Sequence, residues 1–369
     1  MNYCSTCCMP DTKPGVFFDE QGRCNGCRAS EIKQNVDWDE RWKNLEVIVD
    51  EIKGRAHSSY DCLVPVSGGK DSWYQAHVMS QVFGLKVLCV VMGAHLPTKE
   101  GIHNLNSMIE DLNVDILKIT VKHSTLKGLR KKCFVQQGEP NWAEHCYMLS
   151  GVVNAALLYD IPLVVWGEDI AFEFGGLQSQ DSRPNALEID KSDLLKEKTV
   201  DDWLGSDLSP RDIFFYKYPE YGRLKEAGIQ SIYLGHFVKW DGRKHYNFCK
   251  ERGFMSRESG PLKGNYIDYD NIDEKLCEIN IWLKYIKFGF WRATDQTSYD
   301  IWNGRLARDE AVKIVNSLQG EFPSDYIGDF LRFHDLSESE FWEVVERFRN
   351  QDIWQQDEKG SWSLISPLT

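Results

Sequence analysis

The chain has 369 residues, is 42% hydrophobic with 13 tryptophans, and carries a formal net charge of -13. That is enough apolar material for a folded body with one or two appendages, and too much for disorder. The acidic balance disfavours a broad nucleic-acid footprint, which needs Lys and Arg gathered on one face, and no apolar run is long enough to span a bilayer. The first residues, "MNYCSTCCMP", lack the apolar stretch of an export signal, so the cytoplasm is the expected compartment. Eleven cysteines in such a setting read as thiols and metal ligands, not as a disulfide framework.

Residues 1–30 form the first unit. Cys4 and Cys7, then Cys24 and Cys27, make a C-x2-C-x16-C-x2-C pattern. Each pair can present two thiolates from one knuckle, and four sulfurs complete a tetrahedral Zn2+ with no position left for water. The expected site is structural, because a head this small cannot fold without a staple. Cys8 can replace Cys7 in the pattern, and an iron–sulfur cluster can use the same ligands. Residues 31–56 follow as a connecting helix, with Trp38, Trp42, Leu45, Ile48 and Ile52 at helical spacing.

Residues 57–262 alternate between short apolar runs and amphipathic segments. "DCLVPVS", "LKVLCVVMG", "VDILKITV", "IPLVVWGED" and "IQSIYLGHF" read as strands buried on both faces. Helices are expected over Asp71–Phe83, Lys99–Leu112, Ala143–Tyr159, Tyr221–Ala227 and Gly242–Arg252. The fold class is therefore α/β, a doubly wound parallel sheet. A polar insertion at 172–218 breaks the rhythm, and reads either as a functional segment or as a solvated decoration. After Gly264 strand signals stop. Residues 263–369 are expected to be helical, with "DEKLCEINIWLKYIKFGFWRATD", "RDEAVKIVNSLQG" and "SESEFWEVVERFRNQ" as three helices.

Between the first strand and the first helix of the body lies Ser67-Gly68-Gly69-Lys70-Asp71-Ser72. Val64 and Asp71 stand where a Walker A loop needs Gly and Ser or Thr, and no third glycine makes a dinucleotide fingerprint. The turn remains a good anion site. Two glycines admit a phosphate to the backbone, the helix points free N–H groups at it, and Ser67, Ser72 and Lys70 add donors. Asp71 would repel a phosphate unless a bridging Mg2+ turned it into a ligand.

This strand–SGGKDS–helix arrangement resembles the signature of the N-type ATP pyrophosphatases, the PP-loop family with a HUP-like fold. The resemblance implies that ATP is cleaved to AMP and pyrophosphate while an oxygen of a second substrate is adenylated. Over nearly the full length the chain is similar to the N-acetyl sugar amidotransferases of surface-polysaccharide biosynthesis, in lipopolysaccharide O-antigen and nonulosonic acid pathways. The motifs are the cysteine head, SGGKDS, "PLVVWGED" from Pro162, "YLGHFVKWD" from Tyr233 and "WLKYIKFGFWRATD" from Trp282. Trp291 stands where that family pattern leads us to expect a small residue. The implied reaction exchanges C=O for C=NH on an acetamido sugar, free or nucleotide-linked. No glutaminase apparatus is visible, so the resemblance implies a separate glutaminase and a cyclase-like ammonia-channel subunit. Two other readings stay open: a zinc-ribbon PP-loop tRNA sulfurtransferase, with Cys133, Cys146, Cys249 or Cys277 available as thiols, and a non-catalytic zinc-dependent scaffold.

Candidate site residues follow from position and chemistry. Lys70, Asp71 and Glu168 are the expected catalytic groups, with Glu168 and Asp169 at the C-terminal end of a strand where open α/β sheets place ligands. Trp240, ahead of Asp241, lies at the end of another strand. Lys287, Arg292 and Asp295 stand among aromatics, and Arg292 can either hold a sugar-borne carboxylate or phosphate or pair with Asp295. His145 and Cys146 are neighbours in a helix and so face different sides.

Overall fold

A computed structural model describes residues 1–55, 59–175, 185–191, 195, 198–205 and 208–369. The cysteine head leads into α1 (Asn25–Gln34), which continues past the expected end of that unit. Asp37 opens α2 (Trp38–Lys53) by accepting the Glu40 N–H, and Leu45, Val49 and Ile52 form its buried stripe.

The body follows as β1 (Cys62–Pro65), α3 (Lys70–His77), β2 (Val87–Met92), α4 (Lys99–Leu112), β3 (Asp115–Ile119), α5 (His123–Gln137), α6 (Trp142–Leu158), β4 (Leu163–Trp166), α7 (Ile170–Phe174), α8 (Tyr221–Glu226), β5 (Gln230–Tyr233) and α9 (Gly242–Lys250). The five strands are all parallel, in the order β3-β2-β1-β4-β5, with Leu63 opposite both Leu88 and Val164. Alternate residues serve opposite faces. Cys62, Val64, Cys89 and Val165 pack with α2, α3 and α9, while Leu63, Leu88, Val90 and Val164 pack with α5 and α6. Burial on both sides is why these strands read as continuous apolar runs.

Three features depart from the sequence reading. Helix α5 was not expected, although Leu126, Leu129, Cys133 and Phe134 lie on one buried face; its lysine-rich outer face hides the period. The single helix expected around Trp282 is two, α10 (Cys277–Phe288) and α11 (Arg292–Trp302). Gly289 ends α10 at φ 75, a left-handed conformation that suits glycine. After α12 (Arg308–Leu318), α13 (Ile327–His334) and α14 (Glu338–Phe348), the chain closes on an antiparallel hairpin, β6 (Trp354–Gln356) with β7 (Trp362–Leu364), where no strand was expected.

Trp282, Trp291, Phe330, Phe341 and Trp354 form the C-terminal core, which also takes in Phe134 of α5. Trp291 is buried there against Gly264, on which a Cβ would lie 2.4 Å from the indole. A glycine opposite thus makes room for the unexpected tryptophan. Residues 176–184, 192–194, 196–197 and 206–207 of the insertion lie outside the described residues. Of the rest, Ile189, Leu195, Val200, Trp203 and Tyr216 join the core beside α6, which is not the behaviour of a solvated decoration. Among the described residues, no helix is long and apolar enough to cross a membrane.

Candidate active site

Strands β1 and β4 are neighbours, yet the chain leaves β1 toward β2 on one side and β4 toward β5 on the other. The loops leaving these two strands diverge and open a crevice at the carboxyl ends of the sheet. Ser67–Gly69 lies on one side of it, Gly167–Asp169 on the other.

The glycine turn is held from within. Gly69 N–H donates to Ser67 Oγ at 3.2 Å, Ser72 Oγ donates to the Gly69 carbonyl at 3.0 Å, and Ser67 N–H reaches Ser72 Oγ at 3.3 Å. Gly68 has φ 85, and a Cβ there would lie 2.8 Å from the Leu105 backbone nitrogen, so α4 packs directly against the turn. Only glycine meets both conditions.

Lys70 begins α3, and its buried ammonium lies 2.8 Å from Asp71 and 2.7 Å from Asp270. Asp270 also accepts from Arg292 Nη2 at 2.8 Å. Asp71, on its other oxygen, lies 2.8 Å from His245 Nδ1. A chain of charge therefore runs from His245 on α9 through Asp71, Lys70 and Asp270 to Arg292 on α11. Burial opposes charge on Lys70, but Asp270 and Asp71 outweigh it and hold its pKa above the ordinary lysine value. Burial is likewise overcome at Asp71 by Lys70 and His245, and at Asp270 by Lys70 and Arg292, which hold Asp270 down to about 2. Both carboxylates and both cations stay ionised.

Across the crevice, Asp169 caps α7 through the Phe172 N–H at 3.1 Å, which leaves Glu168 beside it half-buried. Removal from water, with Glu173 and Asp71 nearby, pushes the Glu168 carboxyl up to about 8. Its environment is the opposite of Asp71's, and environments that split carboxyl pKa values in this way suit acid–base work.

Four sulfurs converge in the head. Cys4 Sγ lies 3.7 Å from Cys27 Sγ and Cys7 Sγ 3.6 Å from Cys24 Sγ, with all four within 4.8 Å of one another. Sulfurs about 2.3 Å from one tetrahedral ion stand roughly 3.75 Å apart. These spacings fit a single Zn2+, whereas a multi-iron cluster interposes irons and sulfides and needs wider ones. Thr6 and Cys24 N–H donate to Cys4 Sγ, and Cys27 N–H to Cys24 Sγ, as thiolates require. Cys7, not Cys8, completes the set. Cys8 lies instead among Ala293, Ala311, Val315 and Leu368, where burial pushes its thiol up to about 11.

The other expected site residues divide. Arg292 joins the cluster, though its partner is Asp270 and not Asp295; Asp295 is bound at 2.6 Å by Lys13 of the cysteine head. Trp240 is buried against Gly167 and lies edge-on to His245 at 4.5 Å, so its indole supports the crevice from behind. Asp241 caps α9, accepting from Arg243 N–H at 3.0 Å. Lys287 donates to the Gly138 carbonyl at the end of α5, 2.9 Å away. His145 and Cys146 lie on α6; Cys146 faces inward to the Tyr216 carbonyl, and burial pushes its thiol up to about 12. The same cause raises Cys133, Cys249 and Cys277. The sequence reading missed His245, Asp270 and Lys13. Nothing in their local spacing marks them, since each acts across a tertiary contact.

With this geometry in hand, comparison with known proteins is informative for one region. Residues 263–369 match the family of the LPS biosynthesis protein WbpG-like, C-terminal domain. Over 124 residues the chain is 26% identical to the uncharacterized protein MJ1599 of Methanocaldococcus jannaschii, covering 33% of this chain and only 44% of that relative. Among solved structures, the NH3-dependent NAD synthetase from Campylobacter jejuni superposes with a TM-score of 0.31 and 18% identity, covering 58% of this chain and 86% of that one. The U34-tRNA thiolase NcsA from Methanococcus maripaludis gives a TM-score of 0.28 and 12% identity, covering 87% and 89%. Superpositions this weak bear on neither substrate nor reaction.

Proposed function

We propose that the chain is an ATP-dependent, AMP-forming amidotransferase that converts the acetamido group of an N-acetyl sugar to an acetamidino group in surface-polysaccharide biosynthesis. The observation that carries this reading is the convergence of Lys70 and Arg292, from opposite parts of the chain, on one carboxylate beside the Ser67–Gly69 turn. A buried Lys70 and a part-buried Arg292 beside a glycine turn suit polyphosphate, and the WbpG-like match supplies the sugar context. The raised Glu168 carboxyl across the crevice suits proton transfer from a nitrogen nucleophile.

The chemistry needs each part. An amide carbonyl resists ammonia because oxide cannot leave. The acetamido oxygen attacks the α-phosphorus of ATP and the bond to pyrophosphate breaks. Ammonia then adds to the activated carbon, and AMP departs with the former amide oxygen while the excess proton passes to a base. Lys70 and the Nη2 group of Arg292, which now share Asp270, would hold the departing pyrophosphate, the turn N–H groups would orient it, and Glu168 would take the proton. Asp71 and Asp270, once Lys70 turned from them to the phosphates, would offer ionised hard oxygens to Mg2+, which would supply charge neutralisation on the phosphates. Ammonia would come from a separate glutaminase through a cyclase-like channel subunit.

A tRNA sulfurtransferase would need a reactive thiolate near the turn. Cys249 is the thiol nearest Lys70 by contact, donating to its carbonyl at 3.4 Å, and burial raises its pKa, which weighs against that reading. The test is to incubate the protein with ATP, Mg2+, ammonium and a panel of acetamido sugars, free and nucleotide-linked, and to follow O-for-NH exchange with AMP release by mass spectrometry. Exchange that falls at least a hundredfold in Lys70→Ala is the expected outcome. AMP formation stimulated by tRNA, without exchange on any sugar, would replace this reading with thiolation.

A further inference from the structure

We infer that the cysteine ribbon is a wall of the substrate site and supplies Lys13, which with Lys284 and Arg292 holds an anionic substituent of the substrate, a carboxylate or a phosphate. The inference rests on the amidotransferase reading for the identity of the substrate, but its geometry stands separately.

One helix joins the ribbon to the phosphate turn. On α11, Arg292, Asp295, Tyr299 and Trp302 follow at intervals of three, four and three residues, which places them along one face. At its C-terminal end, Trp302 Nε1 donates to Cys27 Sγ at 3.2 Å and its carbonyl accepts from Ser30 Oγ at 2.8 Å. Gly26 lies flat on the same indole, where a Cβ would come within 2.5 Å of the ring. Midway along, Asp295 is bound by Lys13, whose ammonium is flanked by Phe174 at 5.2 Å and Phe290 at 5.0 Å. At the N-terminal end, Arg292 reaches Asp270 beside Lys70. The ribbon is also tied to α7, which leads out of the Glu168 turn, through Asn25 Nδ2 to the Gly175 carbonyl at 2.7 Å and Lys33 to Glu173 at 2.7 Å.

Donors are left over where these elements meet. Lys284, one helix away on α10, makes no hydrogen bond or ion pair among the described residues. It stands in the fields of Asp295, Lys13, Glu139 and Arg292, and burial lowers its pKa. Arg292 Nε is buried and unpartnered, as is Nδ1 of His145, which stands near Lys284. A part-buried ammonium and a guanidinium whose Nε is closed off from water, with unused N–H groups, lack an acceptor. A neutral hydroxyl would meet one of them. A carboxylate or phosphate, with several lone pairs and a charge, would meet Lys284, Arg292 and the one N–H of Lys13 not given to Asp295 or Met9. Arg292 also lies in the field of Glu168, so the receptor adjoins the carboxyl assigned to ammonia.

The test measures a selectivity ratio. With the phosphate turn filled by α,β-methylene-ATP, calorimetry gives the affinities of N-acetylglucosamine, its 1-phosphate and its uronic acid for wild type, Lys13→Met and Lys284→Met. The wild type should bind at least one charged sugar about tenfold or more tightly than the neutral one, the size of one charge-assisted contact. Each Met variant should bring that ratio close to one, while Lys13→Arg and Lys284→Arg keep most of it. Preference for the uronic acid or for the 1-phosphate tells carboxylate from phosphate. Equal affinities in wild type, no binding of any of the three, or a ratio that survives both Met variants would overturn the inference. A ratio lost equally in the Arg variants would overturn it too, since packing and not charge would then be at work. Zinc content in each variant shows whether the ribbon is intact. If the ratio behaves as expected but no sugar yields an acetamidino product, the receptor stands and the proposed chemistry fails. Product formed with a wild-type ratio of one would mean the reverse.

Discussion

The two polar centres of this molecule are built on opposite plans. At the sulfur tetrad, four like groups within 24 residues of chain are drawn to one point, and only a cation can make that arrangement stable. At the phosphate turn, unlike charges from residues as far apart as Lys70 and Arg292 neutralise one another without any ligand. The first centre depends on what it binds; the second balances its own charge and must be opened. A site of the second kind can stay folded while empty, as suits a turnover site, whereas the first suits a permanent fixture.

The difference can be broken first at the metal. Cys24→Ser removes one of four ligands, and structural zinc contributes about 10–16 kcal/mol in small zinc domains. Zinc content should fall well below one per chain, and the ribbon should lose protection from proteolysis. Cys8→Ser, outside the tetrad, should keep its zinc. Equal zinc loss in both would show that the tetrad is misassigned.

The charge chain should respond less, and to a different rescue. Asp270→Ala leaves the buried Lys70 and the part-buried Arg292 without their shared carboxylate; breaking a fully buried pair costs about 3–5 kcal/mol, and the exposed edge of Arg292 should bring the loss to the low end of that range. Urea unfolding should show that loss, and ATP should restore part of it by bringing its own negative charge, as zinc cannot. The pH dependence has a definite sign. A carboxyl held down to about 2 adds stability that is present above the ordinary aspartate pKa, ~3.9, and is lost as pH falls from there toward 2. Asp270→Ala should flatten that acid limb.

Glu168 should give the smallest effect on stability and the most specific one on rate. Its carboxyl is pushed up to about 8, so as a base it works only when deprotonated. At a fixed concentration of free ammonia, kcat/KM should rise with pH through an inflection near 8. Glu168→Gln should remove the inflection and lower the rate by about 10²–10⁴-fold, the usual worth of a placed base. Stability should change little. An unchanged profile in the variant would assign the proton transfer elsewhere.

These centres were also unequally legible. Two C-x2-C pairs announce a tetrahedral site because the chemistry needs four thiolates on short knuckles, and the structure settles Cys7 over Cys8 by distance alone. The parallel sheet was legible from runs such as Leu163–Trp166, buried on both faces. Helix α5 was not, because lysines on its outer face dilute the period of Leu126, Leu129 and Cys133. At the turn, Ser67 to Ser72 could be recognised from glycines and hydroxyls in one stretch. Asp270 could not: it lies 200 residues away in an irregular segment, and nothing in the sequence sets it apart from its neighbours Asp268 and Asp273. The same holds for Lys13, whose meaning depends on α11 lying across the ribbon. The Arg292–Asp295 pair, one of the two readings of Arg292, joins residues three apart on a helix, a sound local inference, but Asp270 and Lys13 each offered the closer contact.

The most direct measurement follows the acetamido oxygen itself. An acetamido sugar found to be a substrate would be prepared with oxygen-18 in the acetyl carbonyl and incubated with the protein, ATP, Mg2+ and ammonium. If the amide is activated by adenylation, one labelled oxygen must appear in the phosphate of AMP for each acetamidino group formed, and none in pyrophosphate. Label released as water, or found in phosphate alongside ADP, would contradict adenylation and with it the roles assigned to Lys70, Arg292 and the glycine turn.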